Sequence, residues 1–270
     1  ALYGSDAANG AIVVTTKKGQ VGQLSVTATA GVEIMSPLVL PEFQNRYGTG
    51  NLTTPINVAS YSWGKRLNRA NRYGYDPRED YFRAGVVNSE SVSLSTGTEK
   101  NQTYFSAAAI NSDGIVPNNS YDRYNFTFRN TTSFLNDKMR LDVGASYVLQ
   151  EDCNMINQGT YNNPLYWPMG DGSITMQNPY WANYRNLREN RKDRYMLNAA
   201  LSYDILDWLN VSGRIRLDNS HNTYTEKMYA SSNVQLTEQS ANGLYGVTKT
   251  MDRQVYGDAL LNINKTFGDD

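Results

Sequence analysis

Between Tyr121 and Leu135 the chain alternates polar and apolar side chains. Tyr124, Phe126, Phe128, Thr132 and Phe134 fall on one side, and Arg123, Asn125, Thr127, Arg129 and Ser133 on the other. Successive side chains of a β-strand point to opposite faces of its sheet, so this run predicts a strand with one apolar and one polar face. The same period recurs along the chain. Residues 21–36 set Leu24, Val26, Ala28, Ala30, Val32 and Ile34 against Ser25, Thr27, Thr29 and Glu33, and residues 139–150 set Leu141, Val143, Ala145, Tyr147 and Leu149 against Arg140, Asp142, Ser146 and Gln150. Residues 193–205, 209–227 and 247–265 repeat it, with Tyr195 to Ile205, Leu209 to Leu217 and Val255 to Ile263 supplying the apolar faces. Two shorter runs at 89–96 and 102–110 bring the expected strands, with 121–135, to about eight. The fold class read from this pattern is all-β and antiparallel.

The connections between these runs differ in length in a regular way. Gly97 to Asn101, Asn136 to Lys138 and Leu206 to Trp208 are turns, whereas residues 37–88, 151–192 and 229–246 are long loops rich in Asn, Pro and aromatic residues. A β-sandwich mixes its loop lengths and buries its inner face, where each unpaired Arg, Asp or Asn would cost several kcal/mol. An outer-membrane barrel has short turns on one side, long loops on the other and a polar interior, so the same inner residues carry no such penalty. Only 40% of the residues are hydrophobic, and the mean hydropathy of -0.58 is low for a chain with a large dry core. Twenty Tyr against seven Phe suit strands with one wet and one apolar face. The barrel is the expectation, with Tyr124, Phe134, Tyr195 and Tyr203 placed for its interface girdles.

Other functions are poorly supplied. A net charge of -1 provides no field for nucleic acid. One cysteine, Cys153, and one histidine, His221, leave little for a metal site, a disulfide framework or a nucleophilic triad. The Asp-Gly pairs at 113–114 and 171–172 lack the spaced carboxylates of a calcium loop. No cofactor, no metal and no enzymatic activity are expected. No run reaches the roughly 20 apolar residues of a transmembrane helix, which leaves strands as the way across a membrane.

The N-terminal stretch Ala1-Leu2-Tyr3-Gly4-Ser5-Asp6-Ala7-Ala8-Asn9-Gly10-Ala11-Ile12-Val13-Val14-Thr15-Thr16-Lys17-Lys18-Gly19 resembles the end of the plug domain in the SusC/RagA family of TonB-linked outer-membrane transporters, which usually has Arg where Asp6 stands. Gly97 to Phe105, Asp113 to Asn118 and Tyr121 to Phe126 also resemble the family's early barrel hairpins. The resemblance implies a plugged barrel of about 22 strands. Residues 1–20 would be the C-terminal tail of the plug, and residues 21–270 the first part of the wall. Ala11 to Thr16 are then expected to pair with plug strands in the lumen, and Lys17 to Gly22 to cross into the wall on the periplasmic side.

The resemblance further implies residence in the outer membrane of a Gram-negative bacterium and contact with outer-membrane lipid. Cargo would be imported under the pull of TonB, with a SusD-like surface lipoprotein as partner and with two transporter–lipoprotein pairs forming a dimer. Oligosaccharide is the expected cargo and oligopeptide the alternative; a passive eight-stranded structural barrel or adhesin is the competing reading. Sugar rings stack on aromatic faces, which makes the loop residues Trp63, Tyr73, Tyr161, Tyr166, Trp167 and Trp181 the expected substrate contacts. Arg123, Arg129, Arg214 and Arg216 are expected to line the lumen, bonded to plug carboxylates.

Overall fold

A computed structural model describes residues 17–40, 46–47, 64–66, 81–154, 179–232, 234 and 236–265. Eight strands form one antiparallel sheet in sequence order: β1 (Gly22–Met35), β2 (Gly85–Gly97), β3 (Asn101–Asp113), β4 (Ser120–Phe134), β5 (Met139–Asn154), β6 (Asn186–Leu206), β7 (Leu209–Met228) and β8 (Leu244–Ile263). Each strand pairs with its neighbours in sequence, and β1 and β8 are the two edges. A closed eight-stranded barrel requires those edges to pair, so that alternative is corrected: the sheet is an open arc of a larger wall.

The registers hold the alternating residues in continuous rows. Ala107, Phe126, Tyr147 and Tyr195 stand side by side on one face, as do Phe105, Phe128, Ala145, Leu197, Leu217 and Val255 one residue pair further down. The other face carries Arg129, Asp142, Asn198, Arg214, Arg216 and Asp258. Many of the apolar side chains stand open, with Ile215 57% and Val255 61% exposed. In water such a face would be costly, and in a bilayer it is the required surface.

The upper limit of the apolar face does not follow one row. It lies at Tyr124 on β4, Leu149 on β5, Tyr195 on β6, Leu217 on β7 and Val255 on β8, and the next outward residue on each strand is Asp122, Glu151, Asp193, Asn219 or Arg253. The row through Tyr124 meets β8 at Met251, four residues above Val255. Four residues of about 3.3 Å against four interstrand steps of about 4.8 Å correspond to a strand tilt of about 35°. Transmembrane barrels have this inclination.

The strands extend beyond the alternating runs at the long-loop end. β2 begins at Gly85 rather than 89, β5 continues to Asn154 rather than 150, and β6 begins at Asn186 rather than 193. Both faces are wet there, so the period-two signal fades while the ladder continues. The expected loop 151–192 also holds a short helix, α1 (Pro179–Arg185), with proline at its first position, where a missing N–H costs nothing. At the other end the turns are tight. Leu135, Asn136 and Asp137 all take positive φ, of 55°, 53° and 66°, between β4 and β5, a conformation that Asn and Asp accept at low cost.

The residues before β1 cross the polar face close to the short-turn end. Gln20 N–H donates to Ser95 Oγ on β2 at 3.0 Å, Gly19 passes so close to β3 that a Cβ would lie 2.5 Å from Thr103 N, and Lys18 Nζ reaches Asp142 on β5 at 3.1 Å. Traced backwards, the chain leaves β1 along the inside of the arc toward β5. Residues 1–16, which include Ala11 to Thr16, lie outside the described residues.

Candidate functional site

Two features lie on the concave side and at the long-loop rim of the arc. The first is a ladder of ion pairs. Asp142 accepts from Thr131 Oγ1 at 3.0 Å and pairs with both Arg129 Nη2 at 3.4 Å and Lys18. Arg194 grips Asp218 through Nε at 2.8 Å and Nη2 at 2.6 Å, while Arg216 Nη2 approaches the same carboxylate at 3.4 Å. Arg214 reaches Asp258 on β8, directly across the ladder, at 2.9 Å, and Arg123 Nε donates to Asn125 Oδ1 at 3.1 Å. Among the described residues, the carboxylates that engage Arg129, Arg214 and Arg216 sit on the wall. Strand register brings Arg129 to Asp142, Arg194 to Asp218 and Arg214 to Asp258, and the bidentate fork of Arg194 on Asp218 holds both side chains in one geometry.

Between these pairs is a concavity of about 750 Å³ lined by polar side chains, among them Lys18, Arg140, Asn198 and Arg216, and by apolar ones, among them Met196, Leu201 and Leu260. It offers many donors and acceptors to a polar occupant. Gly144 and Asn198 form part of its floor, and a Cβ at Gly144 would come within 2.5 Å of Asn198 Oδ1. Among the described residues no group of three or more His, Cys, Asp or Glu is placed to hold a metal ion.

The second feature is a small core at the rim. Tyr81, only 2% exposed, packs edge-on against Phe82 and against Tyr180 of α1 with ring centroids 5.2 and 5.4 Å apart. Asn183 of α1 donates to the Tyr81 hydroxyl, and its carbonyl accepts from Asn118 Nδ2 at 2.6 Å. On the helix's other flank Trp181 Nε1–H donates to Ser232 Oγ at 3.0 Å, Ser232 Oγ donates to Asn186 Oδ1 at 2.7 Å, and the Arg185 guanidinium lies 5.1 Å from the centre of the Tyr229 ring. Connections that the sequence separates widely thus meet on one short helix. At the foot of the β7–β8 connection Gly243 has φ +86°, and a Cβ there would lie 2.1 Å from Met228 O.

Of the aromatic residues expected to contact substrate, Trp181 is in this rim core with its indole N–H engaged. Trp63, Tyr73, Tyr161, Tyr166 and Trp167 lie outside the described residues. Sequence reasoning missed Tyr81, Asn118, Asn183 and Ser232. The proline at 179 after an asparagine was the one local sign of a helix there.

Comparisons with known proteins agree with one another. No family model matches the sequence. The TonB-dependent receptor SusC of Bacteroides thetaiotaomicron is 28% identical over 152 residues, which is 55% of this chain and 14% of the receptor. The TonB-dependent receptor P39 of Formosa agariphila is 23% identical over 286 residues, covering 100% of this chain and 27% of that protein. Among solved structures, the RagAB peptide transporter superposes with a TM-score of 0.63 at 15% identity, over 95% of this chain and 34% of the other. The last similarity is one of fold. The chain spans well under a third of the length of these curated relatives, all named as receptors.

Proposed function

We propose that the chain, similar to TonB-dependent receptors in sequence and to the RagAB transporter in fold, is a SusC/RagA-type TonB-dependent transporter and forms part of the wall of an outer-membrane importer of oligosaccharides. The observation that carries this reading is the two-faced arc itself. Its outer face is apolar to a limit that follows the strand tilt, its inner face is wet and ion-paired, and its edges are open for further strands. The match to a TonB-dependent receptor along the whole chain supports it.

On this reading residues 1–20 close the plug, and the crossing at Lys18 to Gln20 leads from the plug into the wall. TonB pulls on the plug to open a path, and a SusD-like lipoprotein covers the long-loop side in the outer membrane of a Gram-negative bacterium. Trp63, Tyr73, Tyr161, Tyr166 and Trp167 are the proposed cargo contacts. Trp181 offers at most a ring face, since its N–H is engaged. Arg123, Arg129, Arg214 and Arg216 line the lumen and hold its wall in register rather than clamping cargo.

Deleting the gene in its host and growing the strain on a panel of single polysaccharides tests the reading. Loss of growth on one polymer, restored by the gene in trans, is the expected outcome. Unchanged growth on every glycan together with lost growth on oligopeptides moves the cargo to peptides, the substrate class of the RagAB transporter. No growth defect on either class overturns import.

A further inference from the structure

The outward face of β1 to β3 departs from its apolar pattern at one place. Glu90 on β2 pairs with Ala30 on β1 and with Ala109 on β3, and both partners belong to the apolar face. Its row runs on to Tyr124 on β4. The limit of the apolar face falls four residues over the four steps from β4 to β8, so the same slope continued to β2 puts it two residues above that row, at Asn88. β1 agrees: Val32 and Ile34, level with Asn88 and Val86, are apolar and 70% and 73% exposed. Glu90 therefore lies about 5 Å inside the belt, two residues of about 3.3 Å on a strand inclined at about 35°.

Glu90 and Asn88 form a polar island. Val92 lies below it, Val86 above it, and Ala30 and Val32 beside it on β1. On β3 Asn111 adjoins Asn88, but its amide already donates to Asp122 Oδ1 at 2.6 Å and to the Tyr124 hydroxyl at 2.9 Å. Among the described residues Asn88 and Glu90 have no hydrogen-bond or ion-pair partner. β1 and β3 flank them on both sides, so further strands at the open edges come no nearer. Hydrocarbon offers a carboxyl group nothing to bond with, and an ionisable side chain on the lipid face costs stability that a protein partner can restore. Around Glu90 the surface is low, because Ala28, Ala30, Ala107 and Ala109 carry one methyl each, and small side chains let a second transmembrane surface approach closely. The patch also holds a donor amide and an acceptor carboxyl side by side, which makes it complementary to itself. Two copies related by a two-fold axis along the membrane normal keep every residue at its own depth and set the Asn88 amide of each against the Glu90 carboxyl of the other.

We propose that Asn88 and Glu90 form the centre of a contact between two copies of this wall, in which each Asn88 Nδ2 donates to the other copy's Glu90. The inference rests on the outer face being lipid-facing, as the transport reading requires. It does not depend on what is transported or on which lipoprotein attends the barrel.

The test uses the full-length protein with its cysteines replaced by serine, each variant checked for folding by its heat-dependent gel mobility. Two differently tagged copies, one carrying Asn88→Cys and the other Glu90→Cys, are co-expressed and oxidised in outer membranes. A disulfide-linked heterodimer is expected, and Val255→Cys combined with Glu90→Cys should give none. In lipid vesicles, association followed by energy transfer between labelled copies should weaken roughly fivefold to tenfold in Glu90→Leu, the effect of losing two interfacial hydrogen bonds in a bilayer. It should largely return in Glu90→Gln, which keeps an acceptor at the same place. A Glu90 that only reaches up to the interface from a lipid-covered wall would give no cross-link and would leave Glu90→Leu associating like the wild type; either result in folded protein overturns the contact. A nitroxide at Leu94, on the same face and four residues below Glu90, reports on the premise separately. Access to oxygen is expected there, and access to a water-soluble nickel complex instead overturns the lipid-facing assignment of the belt itself, so the two failures are distinguishable.

Discussion

Asp142 holds two parts of the chain together with one carboxylate. It joins β4 to β5 through Thr131 and Arg129, and it ties the crossing before β1 to the wall through Lys18. Asp142 and Arg129 are largely shielded, at 14% and 17% side-chain exposure, while Lys18 is 43% exposed. The two bonds should therefore differ in strength. Asp142→Asn removes the carboxylate that Arg129 and Thr131 engage and should destabilise the barrel by about 1–3 kcal/mol, read by urea unfolding in lipid vesicles. In a double-mutant cycle, Lys18→Met and Asp142→Asn should couple by only about 0.2–1 kcal/mol, the range of a solvent-screened pair. A coupling of zero would mean that the crossing is held by its backbone contacts to β2 and β3 alone. Alternation in the sequence places Asp142 and Arg129 on the inner face. Their pairing was not legible, because a diagonal contact between neighbouring strands depends on register, and register follows from turn geometry that residue type only suggests.

At the scale of elements, α1 is a short helix secured by its flanks rather than by its length. Seven residues cannot hold a helix in water, so the element depends on Tyr81, Asn118 and Ser232 around it. Trp181→Phe keeps an aromatic ring and removes the bond to Ser232. It should raise amide exchange in residues 179–186 and 229–232 by about fivefold, the effect of losing a hydrogen bond of about 1 kcal/mol, with little change in β4 or β5. Exchange rising equally across the whole sheet would instead identify Trp181 as part of the global fold.

The same region shows where the sequence pattern fades. In residues 193–205 one side meets lipid and the other the lumen, so the strand declares itself by alternation. In Asn186 to Lys192 both sides meet water, and the ladder continues without a pattern to reveal it. The rim core was hidden for another reason: its members are far apart in sequence, and nothing in the local composition of any one connection announces the others.

For the molecule as a whole, the decisive quantity is the tilt implied by the descending limit of the apolar face. If the arc is a barrel wall, Tyr124, Leu149, Tyr195, Leu217 and Val255 lie near one depth although they belong to three different rows of the ladder. A flat sheet standing upright would instead put Tyr124 level with Met251. Nitroxide labels at these positions in the reconstituted full-length protein separate the two, because oxygen dissolves in the acyl region and a charged nickel complex stays in water. Labels at Leu149, Leu217 and Val255 should report equal depth, near the upper interface. A label at Met251 should be accessible to nickel and lie higher by about 10 Å, four residues of about 3.3 Å projected along a strand inclined at about 35°. On β8 itself, labels at Val255, Gly257 and Ala259 should favour oxygen while those at Gln254, Tyr256 and Asp258 should not, since the second set faces the lumen beside Arg214 and Arg216. Equal oxygen access on both faces of β8 would mean that the inner side is not a wet lumen. The transport reading would then lose its physical basis, because a path for polar cargo needs a hydrated wall.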